Sequence, residues 1–100
     1  MIIYNETIVM DEAIYNEWLN WMQTVHIPAV MATGYIDSYK LLNIIDSPNE
    51  GVTCCVQYNV NDEARYREFS AKHQQGLQNI HHQKFENKFV MFNTLMQTID

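Results

Sequence analysis

The sequence predicts an α+β fold whose elements follow the order β-α-β-β-α-β. Runs rich in Ile, Val, Thr and Tyr, which favour strands, stand at both ends of the chain and in its middle. Two longer stretches instead repeat apolar residues at intervals of three and four, which is typical of a helix with one buried face. Clusters of Asp, Asn, Pro and Gly separate these segments and predict the turns between them.

Four segments are predicted strands: residues 2–10, 35–45, 52–60 and 89–98. The alternation is cleanest in 52–60, where Val, Cys, Val, Tyr and Val share one face and Thr, Cys, Gln and Asn share the other. The turn cluster at 46–51 contains Pro and Gly, so the second and third strands are expected to form a hairpin.

The first helix is predicted to begin after Asp11, a favourable N-cap residue. Its apolar stripe is expected to consist of Ile14, Trp18, Trp21 and Val25. Because Pro28 disfavours helical backbone at the preceding residue, the helix should end or kink near His26. A short turn is then expected to run to Gly34, a natural residue to follow a helix C-terminus.

The second helix is predicted to follow the capping sequence at 61–63. The residues of its apolar stripe are expected to be Tyr66, Phe69, His73, Leu77 and Ile80. His81 and His82 fall in its last turn, where partial positive charge is favourable.

The resulting order is the split βαβ pattern of ferredoxin-like folds: a four-stranded antiparallel sheet with two helices on one face. The opposite face would carry Thr53, Cys55, Gln57, Asn5 and Thr7, which are small and uncharged where a solvated sheet face usually carries Lys and Glu. We therefore expect homodimerisation through the sheet face into a dimeric α/β barrel. The alternative is an ordinary solvated face of uncharged residues.

Composition limits the classes of function. One hundred residues suffice for a single domain, 1–100, and the net charge of −6 argues against nucleic-acid partners and anionic membrane surfaces. We expect no signal peptide and no membrane span, because neither a basic N-terminal region nor a long apolar run is present. The adjacent Cys54 and Cys55 point to opposite faces of a strand, which indicates reduced thiols and a cytoplasmic protein.

The chain resembles a bacterial family of domains of unknown function along essentially its whole length. The segments that carry the resemblance are MIIYN at 1–5, WLxWMxxxHIPxVxxTG at 18–34, VTxxxQY at 52–58 and KFVxFxT at 88–94. Members of that family are similar to the dimeric α/β-barrel superfamily. The wider superfamily includes cofactor-independent monooxygenases, haem-degrading enzymes, dehalogenating or lyase-like enzymes and domains that only bind, so the resemblance implies the fold and leaves the function open.

Two histidines are the candidate catalytic residues. His26 precedes Ile-Pro, and the resemblance implies that a histidine there can lie near the cleft, where it could move a proton near neutral pH. His73 lies on the apolar stripe of the second helix. Both have a structural alternative, in which the ring bonds to a backbone carbonyl or water.

A small-ligand pocket is the candidate binding site, with Tyr4, Asn5, Trp18, Trp21 and Tyr58 as its residues. Apolar walls with a few polar tips are typical of such sites, although aromatic residues at helical spacing are more often simply core. Haem-degrading relatives pair a first-strand Asn with a second-helix His, which Asn5 and His73 could match. The strand Trp of those relatives has no counterpart here, so we expect no haem or other cofactor.

No metal site is predicted. His81 and His82 are consecutive on a helix, so their side chains point about 100° apart and do not converge on one ion. We expect both to lie on the surface. No paired-carboxylate site, phosphate loop or nucleophile motif is visible.

Three functions remain open. The first is a small-molecule-binding dimer that takes a small apolar or aromatic ligand. The second is a cofactor-independent monooxygenase- or isomerase-like enzyme that uses His26 or His73. The third is a protein-interaction module whose dimer surface is itself the function.

Overall fold

The computed structural model describes residues 1–100 and contains the predicted α+β arrangement. Its strands are β1 (Ile2–Met10), β2 (Ser38–Asn43), β3 (Val52–Val60) and β4 (Phe89–Gln97). They form one antiparallel sheet in the order β2-β3-β1-β4. The second strand is shorter than the predicted 35–45, although single backbone hydrogen bonds from Asp37 and Ile44 extend its pairing with β3.

Each helix consists of two α-helical segments joined by a π-turn. Helix α1 comprises Tyr15–Trp21, the π-turn Met22–His26 and Ile27–Ala32. Helix α2 comprises Glu63–Phe69, the π-turn Ser70–Gln74 and Gln75–Lys84. Neither helix is both long and apolar enough to cross a membrane.

The capping predictions are confirmed. Asp11 accepts a hydrogen bond from the amide of Ala13 and caps the 3₁₀ turn Glu12–Ile14, which leads into α1 at Tyr15. Asp62 accepts a hydrogen bond from the amide of Arg65 and caps α2. Gly34 has a φ of +82° just beyond α1, the left-handed conformation that favours glycine.

Of the two outcomes predicted near His26, an end or a kink, the helix does not end there: regular α-helix gives way to the π-turn Met22–His26, which leads directly into Ile27–Ala32. Pro28 stands in the first turn of the segment after the π-turn, where the missing proline N–H is tolerated. The π-turn therefore lets the helix continue across a proline that would interrupt a regular α-helix.

The π-turns also change which residues face the core. A π-turn adds one residue to a helical turn, so the buried stripe moves by one position after it. Val25 is 52% exposed and the next residue, His26, is buried; likewise Ile80 is 52% exposed and His81 is buried. The predicted stripes are therefore wrong at their C-terminal members.

The two faces of the sheet are as predicted. Alternate residues of β1 and β3 pack under the helices and form the core with side chains from α1 and α2. The other face, here called the open face, carries Asn5, Thr7 and Cys55. The Asn5 Nδ2 donates to Thr7 Oγ1 at 3.0 Å, and Thr7 Oγ1 lies 3.5 Å from Cys55 Sγ.

Candidate functional site

A small cavity of about 10 Å³ lies between the helices and the helix-facing side of the sheet. That volume is close to the space for one water molecule. Strands β1 and β3 form its floor, and α1 and α2 cover it. The lining residues are Tyr4, Glu6, His26, Val30, Tyr58, Phe69, Gln74 and Leu77.

Both π-turns lie at this cavity. His26 is the last residue of the first π-turn and Gln74 is the last residue of the second, and both line it. Without the extra residue in each turn, neighbouring positions would face inward. Because π-turns occur frequently at functional sites, their convergence marks the cavity as the candidate site.

Glu6 is the central ionisable group of the cavity. Its side chain is buried, its Oε2 accepts a hydrogen bond from the Tyr4 hydroxyl at 2.7 Å, and its Oε1 has no hydrogen-bond partner. Burial raises the pKa of Glu6 to about 7, and the hydrogen bond from Tyr4 opposes this rise. The carboxyl is therefore poised between its neutral and ionised forms near neutral pH.

The tyrosines beside Glu6 remain neutral phenols. The rings of Tyr4 and Tyr58 stack with centroids 5.9 Å apart. Burial, and after it the nearby Glu6, raises the pKa of both hydroxyls. The Tyr58 hydroxyl has no hydrogen-bond partner, so the cavity contains a second unsatisfied polar group besides Glu6 Oε1.

His26 provides a neutral imidazole. Burial lowers the pKa of His26 to about 4, so the ring carries no charge at neutral pH. It stacks on Trp21 at a centroid distance of 4.7 Å and lies 5.1 Å from the ring of His81. A neutral His26 cannot compensate the charge of an ionised Glu6, and the carboxyl of Glu6 has no other salt-bridge partner.

His81 and Trp18 form a buried pair behind the cavity. Trp18 Nε1 donates to His81 Nε2 at 2.9 Å, which leaves the proton of the neutral ring on Nδ1, an atom without a partner. Burial, followed by the neighbouring His26 and His82, lowers the pKa of His81 to about 3. The prediction of a surface position is thus wrong for His81, because the second π-turn rotates it inward, whereas His82 is exposed.

The structure brings some of the predicted site residues together and separates others. Tyr4, Tyr58 and His26 line the cavity, while Trp18 and Trp21 pack behind His26 and His81. Asn5 and His73 do not line the cavity.

Asn5 and His73 do not fit a haem site. Asn5 points from β1 to the open face, whereas His73 is half-buried on α2, across the sheet, and packs against Tyr35 and Phe69 at centroid distances of 5.6 and 6.1 Å. Two groups on opposite faces of one sheet cannot contact the same porphyrin within one chain. No three His, Cys, Asp or Glu side chains converge on a position that could hold a metal ion.

Glu6 is the residue that sequence reasoning missed. Alternation along β1 places it with Ile2, Tyr4 and Ile8 on the helix-facing side, so a buried carboxyl was visible in the pattern. Gln74 and Gln78 gave no such signal, because their inward position depends on the second π-turn.

The sequence profile of a protein family described as a domain of unknown function (DUF4286) matches residues 1–99. The chain belongs to this family. No curated protein matches its sequence significantly.

Solved structures of similar fold cover almost the whole chain. HapK from Hahella chejuensis has a TM-score of 0.72 at 12% identity, with 99% of this chain and 93% of that chain covered. A dimeric ferredoxin-like protein from an uncultured marine organism has a TM-score of 0.72 at 8% identity, covering 100% and 96%. SnoaB, a cofactor-independent oxygenase from Streptomyces nogalater, has a TM-score of 0.62 at 14% identity, covering 99% and 93%. At these identities the likeness establishes the ferredoxin-like fold alone.

Proposed function

We propose that this protein binds a small molecule with an apolar or aromatic body and a hydrogen-bonding group in the cavity around Glu6. The observation that carries the proposal is the buried Glu6 Oε1, which accepts no hydrogen bond from any group of the protein. A buried polar atom without a hydrogen bond is costly, so a ligand that supplies the missing bond gains affinity from it. The aromatic rings of Tyr4, Tyr58 and Phe69 provide the apolar walls.

Ligand entry requires the helices to move relative to the sheet. A cavity of roughly 150 Å³ holds benzene, whereas this one measures about 10 Å³. The π-turns are the places where both helices depart from regular hydrogen bonding above the cavity. We therefore place the opening at His26 and Gln74.

Titration of the labelled protein with phenol and toluene, followed by amide NMR shifts, tests the proposal. We expect phenol to perturb the residues around the cavity and to bind about tenfold more tightly than toluene, because its hydroxyl donates to Glu6 Oε1. Glu6→Leu should abolish this preference, and Glu17→Leu, which changes an exposed carboxylate of α1, should retain it. Shifts absent from the cavity residues, or equal preference in the wild type and Glu6→Leu, would contradict the proposal.

An acid–base enzyme is the second candidate function. A carboxyl with a pKa of about 7 and an unpartnered oxygen is suited to take up and release protons at neutral pH. His26 is the only histidine at the cavity, so this alternative depends on Glu6 and His26 and not on His73. SnoaB from Streptomyces nogalater, a cofactor-independent oxygenase of similar fold, supports this candidate by analogy of fold.

For the partner, we propose a second copy of this chain on the open face, with residues 1–100 acting as one domain in the cytoplasm. Asn5 is buried on that face, yet its Oδ1 has no hydrogen-bond partner. Val90 and Phe92, which pair with Val9 and Thr7 and so share the open face, are 60% and 54% exposed. A second sheet would cover these apolar side chains and could supply a donor to Asn5.

Sedimentation velocity of a Phe92→Glu variant checks the dimer. We expect a wild-type dimer and at least a hundredfold weaker association in the variant, because a charge would be buried against an apolar surface. Ile80→Glu is the matched control: Ile80 is exposed to a similar extent on the helix side and should leave association unchanged. A monomeric wild type would overturn the dimer, and an unaffected Phe92→Glu would move the interface away from the open face.

A further inference from the structure

A hydrogen-bonded chain of three side chains runs from α2 to the cavity. Gln78 Nε2 donates to the Tyr4 hydroxyl oxygen at 2.9 Å, and the Tyr4 hydroxyl donates to Glu6 Oε2 at 2.7 Å. Gln78 itself is half-buried and does not line the cavity. It therefore reaches Glu6 only through Tyr4.

The hydrogen bonds that link Gln78, Tyr4 and Glu6 can run in one direction only, from the amide to the carboxylate. An ionised carboxylate can only accept hydrogen bonds, so the single proton of the Tyr4 hydroxyl must go to Glu6. The phenol oxygen is then left as an acceptor, and only the NH₂ end of the Gln78 amide can satisfy it. The amide in turn holds the Tyr4 hydroxyl in the orientation that serves Glu6.

We infer that Gln78 is a positioning residue: by occupying the Tyr4 oxygen as donor, it keeps the Tyr4 proton on Glu6 Oε2 and assigns the ionisable proton of the carboxyl to Oε1. A proton on Oε2 would face the Tyr4 hydroxyl hydrogen, and the phenol oxygen is already taken by the amide. Oε1 has no competing donor.

The assignment defines what the cavity offers a ligand, and this consequence rests on the proposed binding function. With Glu6 ionised, Oε1 accepts hydrogen bonds and suits a ligand hydroxyl or N–H group. With Glu6 protonated, the same atom donates and suits a ligand carbonyl or ether oxygen. The site would thus exchange one ligand class for the other near neutral pH.

The titration of Glu6 can be followed separately from that of the groups that surround it. β1 contributes Tyr4, β3 contributes Tyr58 and α1 contributes His26, whose pKa of about 4 lies well below that of Glu6. From α2, the phenol of Tyr66 lies near Tyr4 at a centroid distance of 5.7 Å. From β4, Asn93 is the uncharged strand partner of Glu6.

The test is a pH titration of the Glu6 carboxyl carbon by NMR in protein labelled with ¹³C-glutamate, with no ligand present. We expect Gln78→Leu to raise the pKa of Glu6 by about 0.5 to 1, because the neutral carboxyl can then donate to the released Tyr4 oxygen. Gln75→Leu, which removes an exposed glutamine of the same helix that donates to Asn79, should leave the pKa unchanged.

Tyr4→Phe provides the second readout. It removes the link, so the pKa of Glu6 should rise at least as far, and Gln78→Leu should add nothing in the Tyr4→Phe background. Additive effects of the two substitutions, or a wild-type pKa in Gln78→Leu, would overturn the role of Gln78. Since no ligand is used, a failed phenol titration would contradict the binding function alone.

Discussion

Trp18→Ala is expected to lower the free energy of unfolding by about 4 kcal/mol, the typical loss for a large aromatic residue removed from a core. Trp18 is fully buried between α1, α2 and the sheet. The substitution also leaves His81 Nε2 buried without its donor, next to an Nδ1 that already has no partner. Urea unfolding monitored by circular dichroism measures the effect.

Two control variants separate the contributions. Trp18→Phe retains most of the aromatic volume and loses the N–H donor, so it should be destabilised by about 1 to 3 kcal/mol. Val25→Ala should change the free energy of unfolding by less than about 0.5 kcal/mol, because Val25 is 52% exposed. If Val25→Ala lowered the free energy of unfolding as much as a substitution in the core, the result would support the regular helical stripe and contradict the π-turn.

The sequence was sufficient for the fold because its signals are local and agree with one another. Alternation over nine residues of β3 runs without a bulge, so the open face could be assigned correctly from Thr53 to Gln57. Asp62 and Gly34 mark helix ends by mechanisms that act within a few residues. Strand alternation and helix-end residues act locally, so they predict the same helices and strands whatever the tertiary packing around them.

The candidate site was harder to predict from the sequence than the fold, for a physical reason. A π-turn has no distinct sequence pattern, yet it moves every later residue of the helix around the axis. His26 could be singled out because it precedes Ile-Pro, but His81 was expected on the surface and Gln78 lies outside the predicted stripe of the second helix. The site lies where both helices contain that irregularity, so periodicity fails at the positions that matter most for function.

The second large effect concerns the pH dependence of stability and originates in Glu6. Its pKa is about 7 in the folded protein against an ordinary value of 4.5. The folded state therefore binds more protons than the unfolded state between these values, and stability falls as the pH rises from about 4.5 to 7. The expected loss from this one group is about 3 kcal/mol.

His26 and His81 act in the opposite direction. Their pKa values are lowered to about 4 and about 3, so the unfolded state takes up protons first and stability falls as the pH decreases below about 6.5. In the wild type the two effects partly cancel between pH 4.5 and 6.5. A flat stability profile in this range would therefore hide opposing contributions.

Glu6→Gln separates them, because it keeps the shape of the side chain and removes its titration. We expect the variant to gain about 3 kcal/mol relative to the wild type between pH 4.5 and pH 8, measured by urea unfolding at several pH values. Glu17→Gln, an exposed change on α1, should run parallel to the wild type. Parallel profiles for Glu6→Gln would mean that the folded carboxyl titrates at its ordinary pKa. A carboxyl that titrates normally has found solvation, so that outcome would also remove the unsatisfied oxygen on which the proposed ligand depends.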